Sequence, residues 1–268
     1  MAKYKKKRAR ELQHDRFRDT TMSFFDRLGD LLEGRGRTIL YTLAGLIVAG
    51  VLIVVFVKWS NRKSDEARQA LGRAITISRA NVSTTPVPGN TDLTFGTDKE
   101  RAERAIQEFE KVAAKYRDPY RAQSQYFIAT NRLVVDRQKG ISELTALQNS
   151  NVGEVAVLSK FALAQAYESD GKYDDAVRLY TELAKQNSPT VTAETANLRL
   201  AKVYEKQGKK KEAADLLFNI VDASRKAKGS DNLPLPQSSA AREAGDELQK
   251  LDPDRYAQLP PATPTLAG

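Results

Sequence analysis

The chain has 268 residues, a net charge of +9 at pH 7, one histidine and no cysteine. The missing cysteines exclude a disulfide framework, and one histidine, His14, cannot build the usual metal sites of nitrogen or sulfur ligands. A histidine-dependent triad is not expected in the tail where His14 lies, and the sequence holds no G-x-x-x-x-G-K-S/T phosphate-binding motif. We therefore predict a protein that is not an enzyme and that holds no cofactor and no metal.

Residues 1–37 form a basic N-terminal tail, in which eleven Lys and Arg residues outnumber six Asp and Glu residues. Apolar residues between Phe24 and Leu32 recur on one helix face. A short amphipathic helix is expected there, either on the inner membrane surface or docked on a partner. We interpret the cluster Lys3–Arg10 as a topology signal, with an arm that binds anionic lipid or ribosomal RNA as the alternative.

An uncharged segment follows from Thr38 to Val57, in which thirteen of the twenty residues are Leu, Ile, Val or Phe. Twenty helical residues span about 30 Å, the thickness of a bilayer core. Arg37 precedes the segment, and Lys58 and Trp59 follow it, which are residue types typical of membrane interfaces. The pattern predicts one uncleaved transmembrane helix over residues 38–57 with the basic tail in the cytoplasm. The alternative is a buried helix of a soluble protein.

Residues 64–251 are predicted to form an all-helical domain, because apolar residues recur at helical spacing without sustained alternation. Its first helix is expected over residues 64–80, followed by a loop insertion over residues 81–97 that is rich in Ser, Thr, Pro and Gly. The last helix is predicted from Ser239 to Leu251, and residues 252–268 are expected to be a proline-rich disordered tail. Breaks between helices are expected near Asp118-Pro119, Gln138-Lys139-Gly140, Gly171, Ser188-Pro189 and Gly208.

Two stretches of this domain are similar to each other, since Leu163–Leu183 aligns without gaps on Leu200–Ile220, 37 residues later. Each stretch holds a small alanine where two helices would cross closely and a glycine suited to a left-handed turn. A tyrosine of each stretch would fill the seam between helices, and a leucine of each stretch belongs to the same repeated pattern. These packing positions are Leu163, Tyr167, Gly171 and Ala176 in the first stretch, and Leu200, Tyr204, Gly208 and Ala213 in the second.

This pattern resembles the tetratricopeptide repeat, which implies an all-α fold of antiparallel helix pairs stacked into a superhelix. Two earlier units look degenerate. One combines a helix that holds Leu71-Gly72 with a helix that holds Phe109, on the other side of the loop insertion. The other begins at Ile128-Ala129 and has a short second helix, Ile141–Leu147.

The whole layout resembles the membrane-anchored tetratricopeptide proteins typified by the bacterial ancillary subunit of the SecYEG translocon, the YfgM-like family. The resemblance covers roughly residues 38–222 and includes the segments AIQEFEKVAAKY, YFIATNRL, KFALAQAYESDGKYDDA and ANLRLAKVYEKQGKKKEA. It implies an inner-membrane protein whose repeat domain faces the periplasm. The implied partners are translocon subunits, exported chains or periplasmic chaperones, although repeat sequences specify architecture more than partner.

A partner-binding groove is expected on the concave side of the stack, lined by the first helix of each repeat. Its mixture of aromatic and polar side chains suits an extended peptide or a partner helix. Tyr126 and Phe161 would alternatively pack within the stack. The predicted groove positions are Gln123, Tyr126, Thr130, Leu158, Phe161, Gln165, Glu168, Ser169, Thr195, Leu198, Lys202, Glu205 and Lys206.

The function predicted from these features is that of a membrane-anchored adaptor between proteins, which links the translocon to exported chains or chaperones. One alternative is a structural scaffold of a cell-envelope or division complex that holds a fixed partner in the same groove. Another is a cytoplasm-directed tether that uses the Lys3–Arg10 arm. The chain after residue 37 carries a net charge of +4 without a concentrated basic run beyond residue 63, so the repeat domain is not expected to bind nucleic acid.

Overall fold

The structure, a computed structural model, describes residues 36–83, 93–230 and 232–261. The predicted amphipathic helix near Phe24, the Lys3–Arg10 arm and His14 lie outside the described residues. Residues 84–92 of the predicted loop insertion and residues 262–268 of the predicted tail also lie outside them. The chain divides into two units at the junction between Glu66 and Ala67.

Helix α1, Gly36–Ser78, supplies the described part of the first unit. Its apolar side chains between Tyr41 and Trp59 are exposed. Among the described residues, α1 is the one helix long and apolar enough to cross a membrane, judged by its length and composition. Residues 64–78 of the helix predicted over residues 64–80 are helical, but they continue α1 without a break. Lys58–Lys63 holds no proline or glycine that would end it.

The second unit contains the last turns of α1, one pair of two-residue strands and a series of further helices. The elements after α1 are β1 (Asn81–Val82), β2 (Thr94–Phe95), α2 (Asp98–Lys115), α3 (Tyr120–Val135), α4 (Arg137–Leu147), α5 (Gly153–Ser169), α6 (Tyr173–Gln186), α7 (Ala193–Lys206), α8 (Lys210–Lys226), α9 (Ser239–Leu251) and α10 (Pro253–Tyr256). The two strands are parallel, with Asn81 opposite Thr94 and Val82 opposite Phe95. The predicted loop insertion therefore has a short ordered pairing at its two ends.

Local sequence explains where these helices begin and end. Thr97, Thr192 and Ser238 each accept a hydrogen bond from a backbone N–H in the first turn of the helix that follows. Gly171 and Gly208 lie in the turns α5–α6 and α7–α8 at φ values of 72° and 74°. This left-handed conformation is strained for residues that carry a Cβ atom, so glycine fits both turns.

The helix break predicted near Gln138-Lys139-Gly140 lies slightly earlier, at Asp136. Because α3 ends at Val135 and α4 begins at Arg137, Gly140 lies inside α4, where it is buried. A Cβ atom on Gly140 would lie 2.7 Å from the backbone nitrogen of Leu133 and 2.9 Å from the carbonyl oxygen of Ala129. The glycine therefore permits the close approach of α3 and α4 and does not form a turn.

Each helix of the repeat region packs on the next, and the helix pairs α5–α6 and α7–α8 coincide with the two similar stretches of sequence. Ala176 and Ala213 are completely buried in α6 and α8, which leaves room for a neighbouring helix to approach closely. The other non-glycine packing positions are buried at Leu163 and Leu200 and half-buried at Tyr167 and Tyr204. The predicted all-helical fold with tetratricopeptide-like repeats is confirmed.

The predicted first, degenerate unit is built from the end of α1 and from α2. Leu71 and Ala74 of α1 form a buried apolar cluster with Phe109 of α2. The Phe109 ring also stacks on Phe127 of α3, with ring centroids 4.9 Å apart. The last turns of α1 thus take the place of a first helix, and α2 that of a second helix.

The chain beyond α9 is ordered further than the predicted boundary at residue 251. Helix α10 packs on α8 and α9, and Leu259 is buried in the apolar cluster that these helices form. Arg225 of α8 donates hydrogen bonds to the Pro260 carbonyl and, at 3.3 Å, to the Tyr256 hydroxyl. The burial of Leu259 and these hydrogen bonds offset the entropy that the segment loses on ordering. Composition alone did not predict this order, because it does not show which residues the segment packs against.

Candidate protein-binding face

Helices α3, α5, α7 and α9 form one layer of the second unit. Helix α3 packs on α5, and α7 packs on α9, whereas α4, α6 and α8 each pack between two helices of that layer. In stacked repeats, this layer lines the concave side and carries side chains that packing does not require. We refer to the surface of α3, α5, α7 and α9 as the first-helix face.

The predicted groove positions on α3 are uncharged. Gln123, Tyr126 and Thr130 are half-buried on it. The Tyr126 ring packs against the core and meets the Phe127 ring edge-on, with centroids 5.3 Å apart. Burial raises the pKa of the Tyr126 hydroxyl, which therefore stays neutral at physiological pH. Val134, one turn beyond Thr130, is an exposed apolar residue that the sequence analysis missed.

Three predicted groove positions on α5 are also uncharged. Leu158, Phe161 and Gln165 are half-buried at successive turns of α5. The Phe161 ring meets Tyr180 of α6 edge-on, with centroids 5.9 Å apart and planes inclined at 67°. Phe161 therefore contributes to packing within the repeat and to the surface at the same time.

Leu198 is not a groove residue, contrary to the prediction. It is 4 % exposed and belongs to a core cluster that includes Leu217 of α8 and Leu248 of α9. The cause is α9, which packs on both α7 and α8 and covers this position. Its counterpart in the preceding repeat, Phe161, remains half-buried.

The two predicted groove lysines, Lys202 and Lys206, form ion pairs between helices. The Lys206 ammonium on α7 lies 2.6 Å from the Glu168 carboxylate on α5. The same carboxylate accepts a hydrogen bond of 3.0 Å from the Tyr180 hydroxyl. Burial of Tyr180, together with the adjacent Glu168 charge, raises the pKa of that hydroxyl.

Further polar contacts join helices that are distant in sequence. Lys202 of α7 pairs with Glu243 of α9 at 2.5 Å, and this hydrogen bond holds the pKa of the Glu243 carboxyl below its ordinary value. Arg137 of α4 donates to Asp170 at 2.6 Å and to Ser169 at 2.5 Å, beside the end of α5. The sequence analysis missed Arg137, Asp170 and Glu243, because partners 33 or 41 residues apart meet only when the helices stack.

The predicted groove positions therefore differ in chemistry along the first-helix face. The predicted groove positions on α3 and α5 are uncharged apart from Glu168, although these helices also carry Arg121, Arg132, Glu154 and Lys160. On α7, Lys202 and Lys206 pair with Glu243 and Glu168. Thr195 is half-buried and Glu205 is exposed on the same helix. A partner that contacts Tyr126, Leu158 and Phe161 buries apolar surface at positions that form no ion pair. Within the part of the chain that the structure describes, no group of three or more His, Cys, Asp or Glu residues could hold a metal ion.

The stacked helix pairs and the layer of first helices define a protein that contains tetratricopeptide repeats. Two family models described as tetratricopeptide repeat match residues 161–189 and 195–221, which correspond to the pairs α5–α6 and α7–α8. Repeats of this kind indicate a role in protein–protein interaction.

Two solved structures, one of them a single-residue variant of the other, are similar to this chain. They contain nearly identical TPR-like repeats of a Podosopora anserina protein described as a kinesin light chain. Each is 18 % identical, with a match that covers 72 % of this chain and 88 % of that chain at a TM-score of 0.49. A comparison with curated proteins gives no match.

Proposed function

We propose that this protein is a membrane-anchored adaptor that binds partner proteins through its first-helix face and has no catalytic activity. One observation carries the proposal: α1 exposes its apolar side chains from Tyr41 to Trp59, whereas the repeat unit buries residues such as Phe109 and Leu183. A continuous apolar surface of this length is unfavourable in water and requires another apolar phase. The repeats on the same chain provide a surface for proteins.

A bilayer suits the exposed part of α1 in length and in its flanking residues. The predicted span of twenty residues covers about 30 Å, and its aliphatic side chains favour insertion by several kcal/mol. Beyond its end, the Lys63 ammonium lies 3.9 Å from the centre of the Trp59 ring. Indoles and lysines are the side chains that membrane interfaces favour. The basic tail places the N-terminus in the cytoplasm and the repeat domain in the periplasm under this proposal.

The partners that we propose are exported chains or periplasmic chaperones beside the protein translocon. This follows from the resemblance in layout and from the chemistry of the first-helix face. Tyr126, Val134, Leu158 and Phe161 offer aromatic and aliphatic contact without fixed charge, which accommodates apolar segments of varied sequence. A scaffold that holds one fixed partner would select it by complementary charge, and the two predicted groove lysines of α7 are already paired, Lys202 with Glu243 and Lys206 with Glu168.

Site-specific photo-crosslinking in intact membranes tests the partner proposal. The photoreactive residue replaces Leu158 or Gln165 on the first-helix face, and Arg178 on the outer surface of α6, with a side chain 59 % exposed, serves as the control. We expect adducts with translocon subunits, exported chains or chaperones from the first two positions and few from the control. A single stoichiometric partner would instead establish the scaffold, and equal crosslinking from Arg178 would show that the face is not the working surface.

Membrane insertion and orientation require a separate experiment. The full chain should resist alkaline extraction from membranes, and a variant that lacks residues 38–57 should be extracted. Protease added to spheroplasts should digest the repeat domain while leaving an N-terminal epitope intact. Protection of the repeat domain until the inner membrane is opened would reverse the proposed orientation.

A further inference from the structure

Arg199 on α7 is a half-buried arginine that forms no hydrogen bond and no ion pair with any residue that the structure describes. The other half-buried arginines in the described part of the second unit all have partners. Each donates to a carboxylate or to a backbone carbonyl, and they are Arg101, Arg132, Arg137, Arg225 and Arg255. A guanidinium carries five N–H donors, and burying them without an acceptor is unfavourable. The stability of the stack therefore does not explain Arg199.

The guanidinium of Arg199 is open to solvent. Arg101, Arg132 and Arg225 each have a buried Nε atom that lacks a hydrogen-bond partner, whereas none of the side-chain nitrogens of Arg199 is buried. The residue therefore packs its carbon stem against the stack while its donors remain accessible. A ligand that carries acceptor oxygens can reach these donors.

Arg199 lies beside Phe161, across the groove between α5 and α7. These two helices run in the same direction, because α6 reverses the chain between them. Lys206 of α7 pairs with Glu168 of α5, and Arg199 and Phe161 each lie seven residues earlier, about two helical turns away on the same side of their helices. The Tyr180 ring meets Phe161, and burial raises the pKa of the Tyr180 hydroxyl, a rise that the nearby charge of Arg199 opposes. Arg199 thus carries a positive charge next to apolar surface.

This side of α7 carries three cations and has two carboxylates paired with them. Arg199, Lys202 and Lys206 follow one side of the helix at spacings of three and four residues. Glu243 pairs with Lys202, and Glu168 pairs with Lys206. The hydrogen bond from Lys202 lowers the pKa of the Glu243 carboxyl, and the charge of Arg199 adds to this lowering without forming an ion pair. One further carboxylate would complement the charge that remains.

We propose that Arg199 binds the carboxylate of an Asp or Glu side chain of the partner protein, beside an apolar side chain of the same partner that packs on Phe161. This inference rests on the proposed function, because the partner must lie on the first-helix face. A guanidinium binds a carboxylate through two parallel hydrogen bonds, which adds specificity to apolar contact. The partners are thereby narrowed to protein segments that carry an acidic residue next to an apolar one.

The position of Arg199 favours a side-chain carboxylate over the carboxylate at the end of a chain. Terminal carboxylates are captured by free backbone N–H groups arranged as a nest. Arg199 lies in the middle of α7, Ala193–Lys206, where the backbone N–H groups are bonded within the helix. Only the side-chain donors are available there, and they suffice for one carboxylate.

Photo-crosslinking from Leu158 in intact membranes measures what Arg199 contributes. The photoreactive residue is placed at position 158 in chains that carry Arg199, Arg199→Gln or Arg199→Lys. We expect Arg199→Gln to lower the yield of partner adducts about tenfold, as for a lost bond to a charged group, and Arg199→Lys to retain part of the yield. Arg178→Gln, on the exposed side of α6, is the matched control and should leave the yield unchanged.

The possible results separate this inference from the proposed function. Because Arg199 has no bond within the described chain, Arg199→Gln should unfold at the wild-type temperature. A lower yield accompanied by a lower unfolding temperature would assign Arg199 to the stack and overturn the inference. An unchanged yield with Arg199→Gln also overturns it and leaves the proposed function standing. If Leu158 gives no adducts in any chain, both fail together.

Carbodiimide coupling identifies the group that residue 199 meets. The reagent joins an amine to a carboxyl group in contact with it, and Arg199→Lys supplies the amine. We expect an amide link from residue 199 to an Asp or Glu side chain of the partner, located by mass spectrometry, and no such link from Arg178→Lys. A link to the terminal carboxylate of the partner, or links to Glu168 or Glu243 of the same chain alone, would overturn the inference.

Discussion

The Glu168 carboxylate and the Lys206 ammonium lie 2.6 Å apart and join α5 of one repeat to α7 of the next. The same carboxylate accepts the hydrogen bond of the buried Tyr180 hydroxyl. The Glu168 side chain is 10 % exposed, whereas that of Lys206 is 49 % exposed. The two members of this ion pair therefore contribute differently to stability, because only Glu168 also accepts a hydrogen bond from a buried core residue.

Replacing Glu168 should cost more stability than replacing Lys206. Glu168→Ala leaves the buried Tyr180 hydroxyl without this acceptor, which costs about 1–3 kcal/mol. Lys206→Ala removes an exposed partner and costs about 0–1 kcal/mol. Urea unfolding of the purified protein measures both, with Glu168→Gln as a control that keeps an acceptor and should lose less than Glu168→Ala. Equal losses for Glu168→Ala and Lys206→Ala would show that the bond to Tyr180 contributes nothing.

Enlarging the buried alanines of the repeats should destabilise the domain. Ala176→Leu or Ala213→Leu forces apart helices that pack closely, at a cost of about 1–3 kcal/mol. Ala223→Leu on the exposed side of α8 is the matched control and should change stability by about 0.5 kcal/mol or less. Thermal unfolding gives the comparison. If both core variants unfold at the same temperature as the wild type, the assignment of these alanines to helix crossings is contradicted.

The segment after α9 should contribute to stability through Leu259. Its side chain is 8 % exposed, and Leu259→Ala should cost about 2 kcal/mol or more by leaving a cavity against α8 and α9. Gln258→Ala, at the exposed neighbouring position, should be close to neutral in the same urea titration. A neutral Leu259→Ala variant would mean that the chain beyond residue 251 does not hold the last helix pair together.

Stability should fall in alkali because of Tyr180. Burial raises its pKa in the folded state, so above pH about 10 the unfolded chain loses a phenolic proton that the folded chain retains. Below that pH, the contribution of protonated Tyr180 to the free energy of unfolding is fully present. Above it, the unfolded state binds fewer protons than the folded state, so the free energy of unfolding falls by up to about 1.4 kcal/mol per pH unit. Urea unfolding of the wild type and of Tyr180→Phe should show the stability difference between them shrinking as pH rises. A difference that is constant or grows would contradict the raised pKa.

The sequence by itself determined the features that depend on neighbouring residues. Glycine at positions 171 and 208 predicts a left-handed turn because the preference arises within a single residue. The similarity between Leu163–Leu183 and Leu200–Ile220 predicts repeated helix pairs because each pair is one local unit. The uncharged run over residues 38–57 likewise predicts a long apolar helix from composition alone.

Only the tertiary structure shows which predicted groove residues are exposed and which are buried. Leu198 and Phe161 occupy equivalent repeat positions. Helix α9 packs over Leu198 and buries it, whereas Phe161 remains half-buried. The sequence predicts a break near Gln138-Lys139-Gly140, and the structure has it at Asp136, with Gly140 inside α4 against the backbone of α3. The contact between Arg137 and Asp170 joins residues 33 positions apart. Burial and pairing depend on which distant element covers a residue, and helical periodicity identifies the face that a residue occupies without identifying the helix that packs on that face.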